Sequence, residues 1–159
     1  MKWINQNFQT KLLYRKSRDG DSYKIFHKLC DYQGNTLVLI KTNDGQIFGG
    51  YTTLDWDDSS GWKSDDKTFL FSLTNSKIFR KIRKSTDSIY CDTNNGPWFP
   101  FIGFYKYNGR KNLSEGQILY RNDKNSIYFE NIYEIIPNIK NKDTFFDVEE
   151  LETYKIILI

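Results

Sequence analysis

Alanine does not occur in this chain of 159 residues, and histidine and methionine occur once each. Without alanine a helical bundle or coiled coil is a poor fit, because Ala and Leu dominate such helices. Three prolines and 10 glycines exclude collagen-like and proline-rich architectures. Two cysteines, Cys30 and Cys91, cannot build a disulfide framework, and reduced thiols in a cytoplasmic protein are the expectation. No apolar run of signal-peptide length follows Met1-Lys2-Trp3-Ile4. No stretch approaches the roughly 18–20 apolar residues of a membrane span. Glutamate is missing from residues 1–84, where 15 basic residues meet 9 aspartates; residues 85–159 hold 8 basic and 11 acidic residues. The overall charge of +3 is too mild to imply a nucleic-acid partner.

What the chain does have is rings: 12 Phe, 11 Tyr and 4 Trp, alongside Ile and Leu. Such a chain buries enough apolar surface to offset its backbone entropy, and its spectrum is that of strands. Length predicts one domain over 1–159. Strands are expected at Leu12-Leu13-Tyr14, Thr36 to Ile40, Ile47 to Tyr51, Phe69 to Leu73, Ile78 to Arg83, Ser88 to Cys91 and Phe99 to Tyr105. Further strands are expected at Gln117 to Tyr120, Ser126 to Phe129 and Phe145 to Ile156, with Ile132 to Ile136 open between strand and helix. Asn43-Asp44-Gly45 is a hairpin turn. Asp21 or Ser22 caps a helix from Tyr23 to Cys30, its apolar face made of Ile25, Phe26, Leu29 and Cys30, with Lys24, Lys28 and His27 outside. Asp55 to Lys67 reads as a polar loop. Many short strands with regular turns predict a mostly β fold, a β-sandwich of antiparallel sheets with a few short flanking helices.

The chemistry-bearing residues are sparse. His27-x-x-Cys30 has metal-ligand spacing, but one His and two Cys fall short of a four-ligand zinc site. A Cys–His nucleophile fails because Cys30 lies on the apolar face, where a thiolate is not stabilised. No G-x-S-x-G elbow or glycine-rich phosphate loop occurs. Asp55, Asp57, Ser59 and Asp66 imitate calcium-loop spacing, yet Ser60 stands where the sharp turn needs glycine. Asp147, Glu149, Glu150 and Glu152 read as the solvent side of a strand. The run Lys77-Ile78-Phe79-Arg80-Lys81-Ile82-Arg83-Lys84 packs five cations into eight residues. It reads first as an edge strand protected by charge. Arg80, Lys81, Arg83 and Lys84 are also the candidates for contact with an acidic protein surface or, weakly, with anionic lipid.

Leu12-Leu13-Tyr14-Arg15-x-Ser17-Arg18-Asp19-Gly20, followed by Phe26-His27-x-x-Cys30-Asp31-x-x-Gly34-x-Thr36-Leu37, resembles the opening of the TLDc domain family. The likeness continues through Ile47-Phe48-Gly49-Gly50-Tyr51, Trp62-Lys63-Ser64 and Phe69-Leu70-Phe71-Ser72-Leu73. It resumes at Ile89-Tyr90-Cys91 and Gly96-Pro97-x-Phe99, and closes with Phe146-x-Val148-x-Glu150-Leu151-Glu152-x-Tyr154. It covers about residues 10–157. After Phe99 the chain departs: Pro100-Phe101-Ile102-Gly103-Phe104-Tyr105 stands where the family usually has Gly-Gly and an Asp, so no family surface is carried over there. Phe101, Phe104 and Tyr105 are the aromatics left as candidates for something particular to this chain.

The resemblance implies a β-sandwich with short helices, in agreement with the residue-level reading. It also implies a non-catalytic protein-interaction module with no cofactor and no metal. Family members include oxidation-resistance proteins, and several bind and regulate the vacuolar proton-pumping ATPase, so the partner expected is that pump, reached from the cytoplasm at endolysosomal membranes. Two alternatives stand beside it: the C-terminal module of a larger BTB-type adaptor, and a thiol-based redox protein acting through Cys30 or Cys91. Ser17, Arg18, Asp19, Gly20, Gly49, Gly50 and Tyr51 carry the family motifs and are expected to be structural, with Gly20 suited to a positive φ and Arg18 and Asp19 to pairing with each other or the backbone.

Overall fold

A computed structural model describes residues 3–82, 87–105, 112–118, 135 and 144–159. In chain order the elements are β1 (Phe8–Arg15), α1 (Lys16–Asp19), α2 (Tyr23–Cys30), β2 (Thr36–Thr42), β3 (Ile47–Thr52), β4 (Gly61–Ser64) and β5 (Phe69–Ser72). β6 (Lys77–Arg80), β7 (Asp87–Cys91), β8 (Trp98–Phe99), β9 (Ile102–Gly103), β10 (Glu115–Ile118) and β11 (Thr144–Leu158) follow. The mostly β fold with a few short helices is what the composition demands.

All pairings between the strands are antiparallel, in the order β4-β7-β8-β9-β10-β11-β2-β3-β5-β6, with β1 laid along β11. The two layers expected of a sandwich are therefore one continuous sheet folded over its own core. β11 makes the join: its first residues pair with β10, and from Val148 onward it pairs with β2 and then also β1. The register slips between Val148 and Glu150, a bulge-type irregularity where the strand passes from one layer to the other.

The folded sheet encloses Val38, Ile40, Phe48, Leu70 and Phe79 from one layer, and Ile89, Cys91, Phe99, Ile102 and Ile118 from the other. Each fully buried Phe contributes about 1.5–3 kcal/mol. A smaller cluster on the outside of the first layer joins Leu37, Tyr51, Phe69, Phe71 and Ile156, and the amino-terminal Trp3 and Ile4 pack over it. β2 is buried on both faces, which explains its unbroken apolar run.

Gly49 permits a close approach of β2 within one layer, and Gly50 sets the spacing to the other. A Cβ at Gly49 would lie 1.8 Å from the Val38 carbonyl oxygen, and one at Gly50 would lie 2.5 Å from the Phe99 ring. Phe99 thus sits directly on the β3 backbone, an approach that no side chain permits.

Four expectations need correction. His27 is buried at 8% exposure; the inward face of α2 is Tyr23, Phe26, His27 and Cys30, with Ile25 and Leu29 half-buried. The i, i+3, i+4, i+7 spacing is helical as expected, and two hydrogen-bond acceptors admit the imidazole to the interior. Asp55 to Lys67 is not all loop: β4 lies within it and pairs with β7. Phe99 to Tyr105 is not one strand but a tight β8–β9 hairpin turning at Pro100-Phe101, with Phe101 at φ 85° and packed against the core. Phe104 is fully buried core, leaving Tyr105 as the surface aromatic of that segment. Ser126 to Phe129 lies outside the described residues, as does Ile132 to Ile136 apart from a buried Ile135.

The Gly50–Phe99 contact is testable. Gly50→Val is expected to cost about 1–3 kcal/mol of stability in urea unfolding. Shortening the ring with Phe99→Leu in the same chain should make the two losses less than additive.

Candidate protein-interaction surface

The Ser17-Arg18-Asp19-Gly20 motif forms α1 and the turn that leaves it. Arg18 donates to both Asp19 carboxylate oxygens at 2.8 Å and to the Leu13 carbonyl at 3.2 Å. Asp19 accepts the Arg15 backbone N–H at 2.9 Å, and its carboxyl is held below the usual range, chiefly by Arg18. Gly20 sits at φ 98°, donates its N–H to the Lys16 carbonyl and accepts the Tyr14 hydroxyl at 2.5 Å. No side chain of α1's own caps its start; Glu150 of β11 accepts the Ser17 N–H at 3.1 Å instead. Arg15 pairs with Glu152 at 2.9 Å. Asp147 and Glu149 face solvent, whereas Glu150 and Glu152, expected on the solvent side, are half-buried against this turn. Tyr51 is buried and stacks on Phe69, with centroids 5.1 Å apart.

Arg80 and Lys81, the described members of the basic candidate set, have different surroundings. β6 ends the strand order, so it is an edge strand among the described residues. Phe79 points into the main core. Arg80 is exposed, with its guanidinium 5.5 Å from the Phe69 centroid and donating to the Trp3 carbonyl at 3.3 Å. Lys81 is half-buried and donates to the Asp65 carbonyl at 2.9 Å and the Ser88 hydroxyl at 2.7 Å; burial lowers its pKa. It ties the end of β6 to β7. Arg83 and Lys84 lie outside the described residues.

The aspartates of the calcium-like loop are turned to separate protein donors. Asp55 accepts the Gly34 N–H at 2.6 Å, Asp57 pairs with Lys63, and Asp58 accepts the Tyr32 hydroxyl at 3.2 Å. Trp56 is buried and donates its indole N–H to Thr36 at 3.0 Å. No group of three or more His, Cys, Asp or Glu suited to a metal occurs among the described residues.

Both thiols are buried. Burial pushes the Cys30 thiol far above its ordinary range and the Cys91 thiol up to about 11. Neither has the exposure or the low pKa that thiol chemistry requires. A thiol-reactive dye is therefore expected to label the folded chain no faster than global unfolding allows; rapid native labelling of either cysteine would contradict this.

His27 places both ring nitrogens on acceptors: Nδ1 is 2.7 Å from Asp31 Oδ1, and Nε2 is 2.7 Å from the Asn95 carbonyl. Only the imidazolium donates to both. Burial alone lowers its pKa, but the bonds to Asp31 and Asn95 outweigh that and raise it above 6.5. The linked stability is complete below the unfolded value of about 6.5 and is lost as pH rises through the higher folded value. The thermal midpoint should fall as pH rises above about 6.5 and through the folded value, and His27→Gln should flatten that slope.

Sequence reasoning missed one surface feature. Trp62, Tyr90 and Trp98 stand opposite one another across β4, β7 and β8, and Tyr105 stacks on Trp98 at 5.1 Å. Residues this far apart share a face only through strand register, which no local pattern reports. Tyr90 lies in a strand that was legible, but Trp62 lies in β4, which reads as loop, so their meeting was not.

No helix among the described residues is long and apolar enough to cross a membrane. The family model of the TLDc domain matches residues 1–156. The chain is 30% identical over 63 residues to "MTOR-associated protein MEAK7" of Danio rerio, and 32% over 66 residues to its Mus musculus counterpart; each match covers 40% of this chain and 14% of the relative. "TBC1 domain family member 24" of Xenopus tropicalis is 32% identical over 81 residues, covering 49% of this chain and 14% of that protein. The chain thus spans only a small part of these relatives. With the family model matched almost end to end and its motif residues arranged as described, the chain belongs to the TLDc domain family.

Proposed function

We propose that the chain is a non-catalytic protein-interaction module that docks an acidic surface of the vacuolar proton-pumping ATPase from the cytoplasm, in support of resistance to oxidative stress. Arg80, Arg83 and Lys84 make the contact, and Lys81 holds the end of β6 in place for them. The observation that supports this most is the exposed cation Arg80, within the most basic run in the chain, on a strand that has a neighbour on one side only among the described residues. Burial of both thiols weighs against the redox alternative. The name of the MEAK7 relatives, an MTOR-associated protein, agrees with a module that works by association.

The test is affinity capture from native lysate with the folded chain as bait. Pump subunits should be recovered, and Arg80→Glu with Arg83→Glu and Lys84→Glu should reduce recovery at least about tenfold, more so as salt is lowered. Lys81 is left intact because its bonds are internal. A folded bait that repeatedly recovers no pump subunit overturns the pump as partner. Equal recovery by the charge-reversed chain overturns the basic run as the contact.

A further inference from the structure

The two ends of the sheet are chemically unlike. β6 carries Lys77, Arg80 and, just beyond it, Lys81, whereas β4 reads Gly61-Trp62-Lys63-Ser64. Lys63 does not guard that edge, because its ammonium is drawn to the Asp57 carboxylate and to the Asp55 carbonyl at 2.9 Å. Among the described residues the backbone of β4 pairs with β7 alone. An edge strand with neither proline nor an outward charge is a template for one more strand.

A row of rings begins at this edge. Trp62 and Tyr90 have centroids 5.2 Å apart, Tyr90 and Trp98 5.0 Å, and Trp62 and Trp98 5.4 Å. Ile89, Cys91, Phe99 and Ile102 fill the core, so alternation puts these rings on the opposite, outer face. Trp98 lies over Gly103, where a Cβ would be 2.2 Å from the indole. That glycine lets the Trp98 indole lie against the sheet. Trp62 is 37% exposed, and Tyr90, Trp98 and Tyr105 are half-buried.

The segment around β4 is acidic. Asp55, Asp57, Asp58, Asp65 and Asp66 flank it, against Lys63 and Lys67. Asp58 and Asp66 are exposed. Ring faces and carboxylates both attract cations, and together they repel an acidic chain.

We propose that the β4 edge and the Trp62–Tyr90–Trp98 ring row bind an extended, basic segment of a protein partner. The segment adds to β4 as a strand, and its Lys or Arg side chains lie over Trp62 and Tyr90 and beside Asp58. Backbone pairing supplies affinity, while the rings and carboxylates select the sign of charge. This surface is distinct from the basic run at β6 and does not depend on the pump being a partner.

The experiment uses the whole chain and a short fluorescent peptide alternating Arg and Thr. The peptide should quench tryptophan fluorescence, slow deuterium exchange at Gly61–Ser64 and bind more weakly as salt rises. The same peptide with Glu for Arg, and a linear cello-oligosaccharide, should neither quench that fluorescence nor slow exchange at Gly61–Ser64. Trp62→Ala should weaken binding at least about fivefold, Trp62→Phe should recover most of it, and Asp58→Asn should give a smaller, salt-dependent loss. Arg80→Glu should leave binding unchanged. These positions are exposed, and circular dichroism confirms folding. The proposal is overturned if the folded chain does not bind the Arg peptide, if protection falls outside Gly61–Ser64, or if Trp62→Ala binds as well as the parent. Occupation of the edge by the oligosaccharide, or by a second copy seen as concentration-dependent protection without peptide, overturns it equally.

Discussion

The backbone hydrogen bonds of β11 are the constraint on which the rest of the structure depends. Thr144 to Asp147 pair with β10, Val148 to Lys155 with β2, and Glu152 to Leu158 with β1. The strand belongs to both layers, so neither can shift without breaking pairs in the other. Val148, Leu151 and Ile156 are buried along its length, and Leu151 is fully so. The irregularity at Val148–Glu150 is also where α1 is fastened, through Glu150 to Ser17 and Lys16 to the Val148 carbonyl. The family's Ser-Arg-Asp-Gly motif is thereby attached to the join between layers.

Charge is distributed to suit this frame. Paired groups hold local turns and neighbouring strands together: Arg18 with Asp19 and Lys63 with Asp57 in turns, and Arg15 with Glu152 across β1 and β11. Exposed pairs of this sort contribute little to stability, about 0–1 kcal/mol each. Their effect is geometric, in fixing a turn or drawing a lysine away from a strand edge. The contrast between a cation-bearing edge at β6 and an aromatic, acid-flanked edge at β4 follows from that placement. His27 differs from these, since its two acceptors lie in a largely buried site and join α2 to the turn before β8.

Much of the fold was legible because it is written in short-range patterns. Helical spacing and a cap at Asp21 or Ser22 located α2, an Asn-Asp-Gly turn located the β2–β3 hairpin, and the apolar run at Thr36 to Ile40 announced a strand. Gly49-Gly50 was legible as a structural motif pair, though not that Phe99 would be the ring lying on Gly50. β4 escaped notice because its four residues include only one large apolar side chain, and its strand character comes from pairing with β7. His27 was misplaced because helical periodicity ranks residues by polarity, and polarity cannot register that Asp31 and the Asn95 carbonyl await the ring.

The sequence by itself determined the class of fold, the family, the absence of a four-ligand Cys/His set and the concentration of cations in 77–84. Those properties rest on composition, local spacing and ordered motifs, which exist in the unfolded chain as much as in the folded one. Only the tertiary structure decided that one strand joins both layers, that Lys81 serves the interior while Arg80 faces solvent, and that Trp62, Tyr90 and Trp98 form a single row. Each of those depends on register between strands distant in sequence, and register is set when the layers close over a shared core.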